Sequence, residues 1–284
     1  MTAPKQAVAT DRGRFYTDPN PEFDGAMYPS VTNVLATGVA KPALVPWAAK
    51  VVAEYAFSIL PRLVKASRDP KARIKALKDL KSRAKYVSEE AANRGTRVHA
   101  AAEAHELGAP MVNDPEIAGF VEQYLRFIAD FQVDLDRDVE ASEASVVHRT
   151  AGYAGTMDSL MWLPTGPDCV RELWLIDRKT SATRPANSAF PEHVMQLAAL
   201  RNAETVWLPN GFEAPMPLAQ RCAVLNLREN TYALLELPAD AKAFAAFKSA
   251  LATTRYLHGL DLKGIVPVRP PSQLIPAAKG AATS

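Results

Sequence analysis

Residues 172–183 read ELWLIDRKTSAT. An apolar run, Leu173-Trp174-Leu175-Ile176, leads directly into Asp177-Arg178-Lys179. The run has the composition of a strand entering a core, whereas three consecutive charges are foreign to one. Side chains alternate along a strand, so Asp177 and Lys179 share a face about 6.5–7 Å apart and Arg178 takes the other. One reading is a surface ion pair at a strand end, which contributes about 0–1 kcal/mol. The other is a working site, and that reading needs further residues arriving from elsewhere in the chain.

Immediately upstream, VEASEASVVHRT (139–150) and AGYAGTMDSLMWL (151–163) read as two more strands. They meet at a glycine-containing turn near Thr150–Gly152, and the second meets the third at PTGPDCV (164–170). If the second and third strands form a hairpin, Asp158 lies across from Asp177 near the same end. Two carboxylates beside an ammonium can bind a hard divalent cation through oxygen. Such a cation acidifies water and neutralises a phosphate oxygen, and the lysine stabilises charge developing there. The segment RGTRVHAAAEAHE (94–106) adds an imidazole: His99 and Glu103, four apart, share a helix face. Imidazole beside carboxylates favours Mn²⁺ or a similar ion, and the H-E-x-x-H pattern of zinc proteases is absent. The rival reading of His99 is a capping or packing residue.

The remainder sets the frame. The chain has 284 residues, 48% of them hydrophobic, so it can bury a real core, and no stretch is apolar enough to span a membrane. The opening MTAPKQAVATDRGRF lacks the apolar centre of a secretion signal, and Cys169 and Cys222 have no zinc-type spacing. A cytoplasmic protein in a reducing compartment is expected. Net charge is +2, yet residues 62–97 hold twelve Lys and Arg against four acids. Such a field attracts polyanions, while the plainer reading is a solvated helix face.

Residues 1–13 and 264–284 read as tails, and 14–29 as an extended pair. A helix capped by Ser30 follows, then two helical stretches, and then a helix over 114–132 with Asp114 as cap and Pro115 first. After the three strands come a helix over 190–206, strands at 219–227 and 232–237, and a closing helix over 240–260. His105, His148 and His258 have no partner set, His193 lies three before Gln196 on one helix face and reads as its neighbour rather than a ligand, and the four tryptophans read as core. The order implies an α/β sandwich around a mixed sheet, with a helical N-terminal lobe.

Four segments, RGTRVHAAAE, YAGTMDSL, LWLIDRKTS and EHVMQLAALRNAE, together resemble the ordered motifs of the PD-(D/E)xK nuclease superfamily. The similarity is to its RecB-like exonuclease branch, which includes phage and CRISPR-associated members. It covers about residues 28–204, and YPSVTNVLATGVAKPALVPWAAKVVAEYA (28–56) is similar to the opening of phage-type members.

The resemblance implies a restriction-endonuclease-like core, a central mixed sheet flanked by helices. Mg²⁺ or Mn²⁺ would be held by His99, Asp158, Asp177 and the backbone carbonyl of Arg178. Lys179 matches the catalytic lysine and Gln196 the glutamine of Q-x-x-x-Y. Glu143 matches an acidic position near the site; Glu103, by its spacing, reads either as a support behind His99 or as a helix surface acid. Read from position alone, Arg94 and Arg97 directly precede His99 and so would lie near the DNA path, while Arg201, one turn past Gln196, reads either as a DNA phosphate contact or as a surface salt bridge. The motif tyrosine is replaced by Leu200, with Tyr153 as a spatial substitute, and the iron–sulfur version is excluded for want of four cysteines.

The expected organisation is a tail (1–13), an extended pair and basic helical lobe (14–87), a nuclease core (88–263) and a second tail (264–284). The implied function is a metal-dependent exonuclease acting on single- or double-stranded DNA in phage-type recombination or processing. It would work in a bacterial or phage-infected cytoplasm, with a recombination partner protein and an oligomer both open. Two rivals are an endonuclease or flap nuclease on the same core, and a non-catalytic DNA-binding protein that kept the fold.

Overall fold

The computed structural model describes residues 6–166, 168–208 and 212–265, with 268 and 270. β1 (Ala7–Thr10) and β2 (Gly13–Thr17) form a hairpin closed by a two-residue turn, with Gly13 at φ +103°, and β3 (Met27–Pro29) pairs with β2. The tail expected over 1–13 is therefore corrected for 7–13. Residues 7–10 pair with β2, 11 and 12 form the turn and Gly13 opens β2, and Ala7 packs on a small cluster containing Tyr16 and Trp207. Residues 1–5 lie outside the described residues.

Ser30 caps α1 (Val31–Gly38), its Oγ accepting the Asn33 N–H at 3.0 Å. α2 (Leu44–Ser58) and α3 (Leu60–Ala66) pack on α4 (Pro70–Glu106). Asp69 and Pro70 start α4, the Asp69 carboxylate accepting the Lys71 and Ala72 N–H groups. α4 runs 37 residues, about 55 Å at the helical rise, and continues unbroken through 87–88, where the lobe was expected to give way to the core.

α5 (Ala118–Asp130) begins later than its sequence signal. Asp114 closes a turn instead of capping the helix: its Oδ1 accepts the Glu116 N–H at 3.1 Å and its Oδ2 takes Arg97 at 2.7 Å. The carboxylate is drawn to a guanidinium that local spacing does not reveal. α6 (Leu135–Asp138) leads into the three long strands, β4 (Val139–His148), β5 (Tyr153–Thr165) and β6 (Val170–Thr180).

α7 (Pro191–Arg201) stops short of its expected end. Thr205 and Val206 belong to β7 (Thr205–Trp207), because Val206 pairs with Val146 on β4. β8 (Glu213–Pro215), β9 (Arg221–Leu227), β10 (Tyr232–Glu236) and α8 (Ala241–Gly259) complete the chain. Most of the expected C-terminal tail falls outside the described residues.

The main sheet has the order β10-β9-β6-β5-β4-β7-β8, and β6–β9 is its parallel pair. One face packs Leu160 and Leu175 against α1, α7 and α8. The other packs Met161, Trp174 and Ile176 against α4 and α5. The alternation along β6 feeds both cores, and the result is the expected mixed α/β sandwich. No helix among the described residues is long and apolar enough to cross a membrane.

Candidate metal centre and its cleft

β5 and β6 pair from Thr165↔Val170 as far as Ser159↔Ile176, and there their ladder ends. β6 continues beside β9 to Thr180↔Leu227, and β5 continues beside β4 to Tyr153↔His148. The strands thus part at Asp158 and Asp177. The Arg178 N–H, released from the β5 ladder, donates to Asp158 Oδ2 at 2.6 Å, so no buried donor is stranded. The parting opens a cleft of about 460 Å³, lined by residues of β2, α1, α4, β4, β5, β6 and α7.

His99 enters from α4, Glu143 from β4 and Asp158 from β5. Each offers one ligand atom, and the three atoms lie within 4.8 Å of one another. His99 Nδ1 is 3.2 Å from Glu143 Oε1 and 3.4 Å from Asp158 Oδ1, and Nε2 is 3.0 Å from the Arg178 carbonyl. Carboxylates and carbonyls only accept, so these distances suit a ring that carries a proton on each nitrogen. Burial opposes that charge, but the Asp158 and Glu143 carboxylates outweigh it and raise the histidine to about 10. Burial likewise pushes Asp158 up, yet His99, Arg178 and Lys179 hold it below the usual carboxylate range. Glu143 sits at φ +45°, a left-handed conformation that costs a non-glycine residue about 1–3 kcal/mol and is concentrated at functional sites. Buried oxygens with one imidazole suit a divalent cation, and this cluster can bind one.

Asp177 is engaged differently. Gln196 on α7 donates from Nε2 to Asp177 Oδ1 at 2.6 Å and accepts from Lys179 Nζ through Oε1 at 3.3 Å. Lys179 Nζ is 2.6 Å from Asp177 Oδ2, an ion pair by distance. This oxygen is buried, and the Lys179 ammonium is the cation it faces. Burial and Asp158 raise Asp177, with Lys179 opposing. Burial disfavours the Lys179 ammonium, but Asp177 and Asp158 win and raise it, so the proton stays on nitrogen.

The opposite face of β6 carries the support. The Arg178 side chain is 1% exposed; Nη1 donates to Glu106 Oε1 at 2.8 Å, and Nη2 donates to Glu143 Oε1 at 2.9 Å and to the Asp158 carbonyl at 3.2 Å. Glu106 also accepts from Tyr124 at 3.1 Å, from Ser159 at 2.7 Å and from Ser142. Arg178 therefore anchors Glu143 and the Asp158 backbone while its own carbonyl faces His99.

His99, Asp158, Asp177, Arg178, Lys179 and Gln196 all line the one cleft, as does Glu143. Glu103 is half-buried on α4, raised by burial and by Glu143, and outside the cleft lining. Arg97 is drawn away by Asp114 and Glu116, at 2.7 and 2.9 Å. Arg201 donates to the Ala239 carbonyl at 3.4 Å and lines neither this cleft nor its neighbour. Arg94 lines the neighbouring cleft. Leu200 fills its position as core, so close to Gly155 that a Cβ there would meet Leu200 Cδ2 at 2.8 Å. Tyr153 does not replace the missing phenol, because it is buried beneath α7 with its hydroxyl on the Ala199 carbonyl at 2.8 Å. The tyrosine in the cleft is Tyr16 of β2, bonded to Thr156 at 2.7 Å. Sequence reasoning missed Tyr16 and Glu106, whose roles depend on contacts far along the chain. Comparison of the sequence with protein-family models and with curated proteins gives no match.

Proposed function

We propose that the protein is a metal-dependent deoxyribonuclease on a restriction-endonuclease-like core, of the PD-(D/E)xK type and acting as an exonuclease. The observation that carries this reading is the convergence in one cleft of His99, Glu143 and Asp158 with the Asp177–Lys179–Gln196 set. Mg²⁺ or Mn²⁺ fits the donor chemistry, with His99, Asp158, Asp177, Glu143 and the Arg178 carbonyl as the groups that would hold it. Such an ion supplies Lewis acidity toward a phosphate oxygen and water.

The chain's own residues do the rest. Lys179 presents an ammonium to the phosphate and stabilises charge that develops on it. Gln196 holds Lys179 and Asp177 together, fixing the angle at which both face the cleft. The basic run on α3 and α4 supplies a field for a phosphate backbone without reading bases. A phage-type role in DNA recombination or processing rests on the resemblance of residues 28–56.

The test is cleavage of linear single-stranded, linear duplex and circular DNA with Mn²⁺ or Mg²⁺, beside Lys179→Ala and Asp177→Ala. Expected are degradation of linear DNA by the wild type, sparing of circles, and loss of at least about a hundredfold in each variant. Cleaved circles would make it an endonuclease. Absence of metal-dependent cleavage on every substrate would end the enzymatic reading in favour of a DNA-binding protein.

A further inference from the structure

A second cleft, of about 590 Å³, adjoins the first and shares Ala91, Lys179 and Thr180 with it. Its walls come from α2 (Trp47), α4 (Arg83, Arg94) and the segment from Arg184 through Phe190 to His193. Neither the metal cluster nor the core accounts for its chemistry.

Three observations point to a ligand. Arg228, at its floor, is buried, and its guanidinium donates only to main-chain carbonyls: Arg184 at 2.6 Å, Leu227 at 2.7 Å, Pro185 at 3.0 Å and Lys179 at 3.3 Å. No carboxylate pairs with it among the described residues, and a buried cation without an anion is costly. Arg94 Nε and His193 Nδ1 are also buried without hydrogen-bond partners among the described residues. Among the described residues the lining has one acid, Glu90, against Arg83, Arg94, Arg184 and Arg228. The cleft therefore has an unmatched positive charge and unpaired polar groups.

The third observation is apolar and planar. Trp47 and Phe190 are both only half-buried, which corrects the core role expected for Trp47. The Arg184 guanidinium lies 4.4 Å from the Phe190 ring centre, and His193 meets the same ring edge-on at 5.3 Å. Aromatic rings and a guanidinium plane beside unpaired cations are what a nucleotide needs: a surface for the base and charge for the phosphate.

We propose that this second cleft binds a nucleotide of a single DNA strand next to the reacting phosphate, with its base against Trp47 and Phe190 and its phosphate toward Arg94 and Arg228. The identity of the strand rests on the nuclease reading of the first cleft. A base can lie on these rings only when unpaired, so the cleft selects single-stranded over duplex DNA.

The experiment is fluorescence anisotropy in metal-free buffer, where no cleavage occurs, with a short labelled oligothymidylate and a labelled blunt duplex. Phe190→Ala and Trp47→Ala should each weaken oligothymidylate binding roughly 5- to 150-fold, the range for losing one stacked base. Duplex affinity should not change, and Phe190→Tyr should bind as the wild type. Trp47 is on α2, away from the sheet, so it remains informative if Phe190→Ala lowers the melting temperature. Oligothymidylate binding at wild-type strength in both alanine variants overturns the proposal, and so does an equal loss for duplex. Failure of the wild type to cleave with metal would strike the nuclease reading alone and leave these binding ratios in force.

Discussion

Replacing Arg178 by Met tests the support beneath the candidate metal centre. The methionine keeps the reach of the side chain and removes its charge. Glu106, 0% exposed at its side chain, then loses a partner at 2.8 Å, and Glu143 loses one at 2.9 Å. Removing one member of a buried ion pair costs about 3–5 kcal/mol, because the remaining charge is left in a poorly polarisable interior. The hydrogen bonds from Tyr124 and Ser159 soften the loss at Glu106 but bring no positive charge. For a chain of this size each kcal/mol lowers Tm by about 2–4 °C, so Arg178→Met should melt roughly 6–20 °C below the wild type.

The decisive comparison adds Glu106→Gln to Arg178→Met. That change removes the stranded carboxylate, so the double variant should be more stable than the sum of the single effects by about 0.5–3 kcal/mol. Thermal and urea unfolding of the four proteins measure the cycle. The Arg178 carbonyl, being main chain, survives in every variant, so metal-induced stabilisation at low temperature should persist. A single variant melting with the wild type would refute the reasoning, as would additive effects across the cycle.

Two further outcomes follow from the cluster. Mn²⁺ should raise Tm, by an amount equivalent to about 2.7 kcal/mol at a hundredfold excess over Kd, and Asp158→Asn should abolish most of that rise; equal stabilisation of both proteins in thermal melts would exclude the cluster as the binding site. The metal-free protein should lose stability at alkaline pH: His99 is raised to about 10 against 6.5 for the free side chain, so its contribution is complete below about pH 6.5 and is lost as pH climbs through 10. Melts from pH 6 to 10 should show that slope and His99→Gln should flatten it, whereas identical slopes would contradict the ion-paired imidazolium.

Much of this site is legible in local patterns. The period of two along a strand places Asp177 and Lys179 together and Arg178 opposite, and hairpin geometry brings Asp158 near. The framework of helices and central strands follows from hydrophobic spacing and from the Ser30 cap, whereas the Asp114 cap does not hold. Legibility ends where partners are distant. Glu106 reads as a helix-end acid until Arg178, 72 residues later, is folded against it. Arg97 directly precedes the His99 turn, yet Asp114 and Glu116 pull it aside. Residue type shows that an arginine is cationic, but whether that charge is free depends on which acids the fold delivers. The strands β7 and β8, three residues each, are too short for alternation to register, and β4 defines β7 from outside.

The parting of β5 and β6 has an electrostatic logic. Had the ladder continued, Asp158 and Asp177 would be direct cross-strand neighbours with Cβ atoms about 4.5–5.5 Å apart, two like charges side by side. The strands separate there instead, and each acid takes its own cation, Lys179 for Asp177 and His99 for Asp158. With Arg178, three cations face four carboxylates: Asp158, Asp177, Glu143 and Glu106. One negative charge is thus left over in a buried place, which favours any cation that can enter. A divalent ion that displaces the His99 proton adds two charges and removes one, and the balance closes. The imidazolium holds Asp158 and Glu143 in place, and a metal ion bound by the same three side chains would have to displace its proton. A lone ion pair on a strand end would need none of this. It would need neither the burial of Arg178 nor the strained backbone at Glu143.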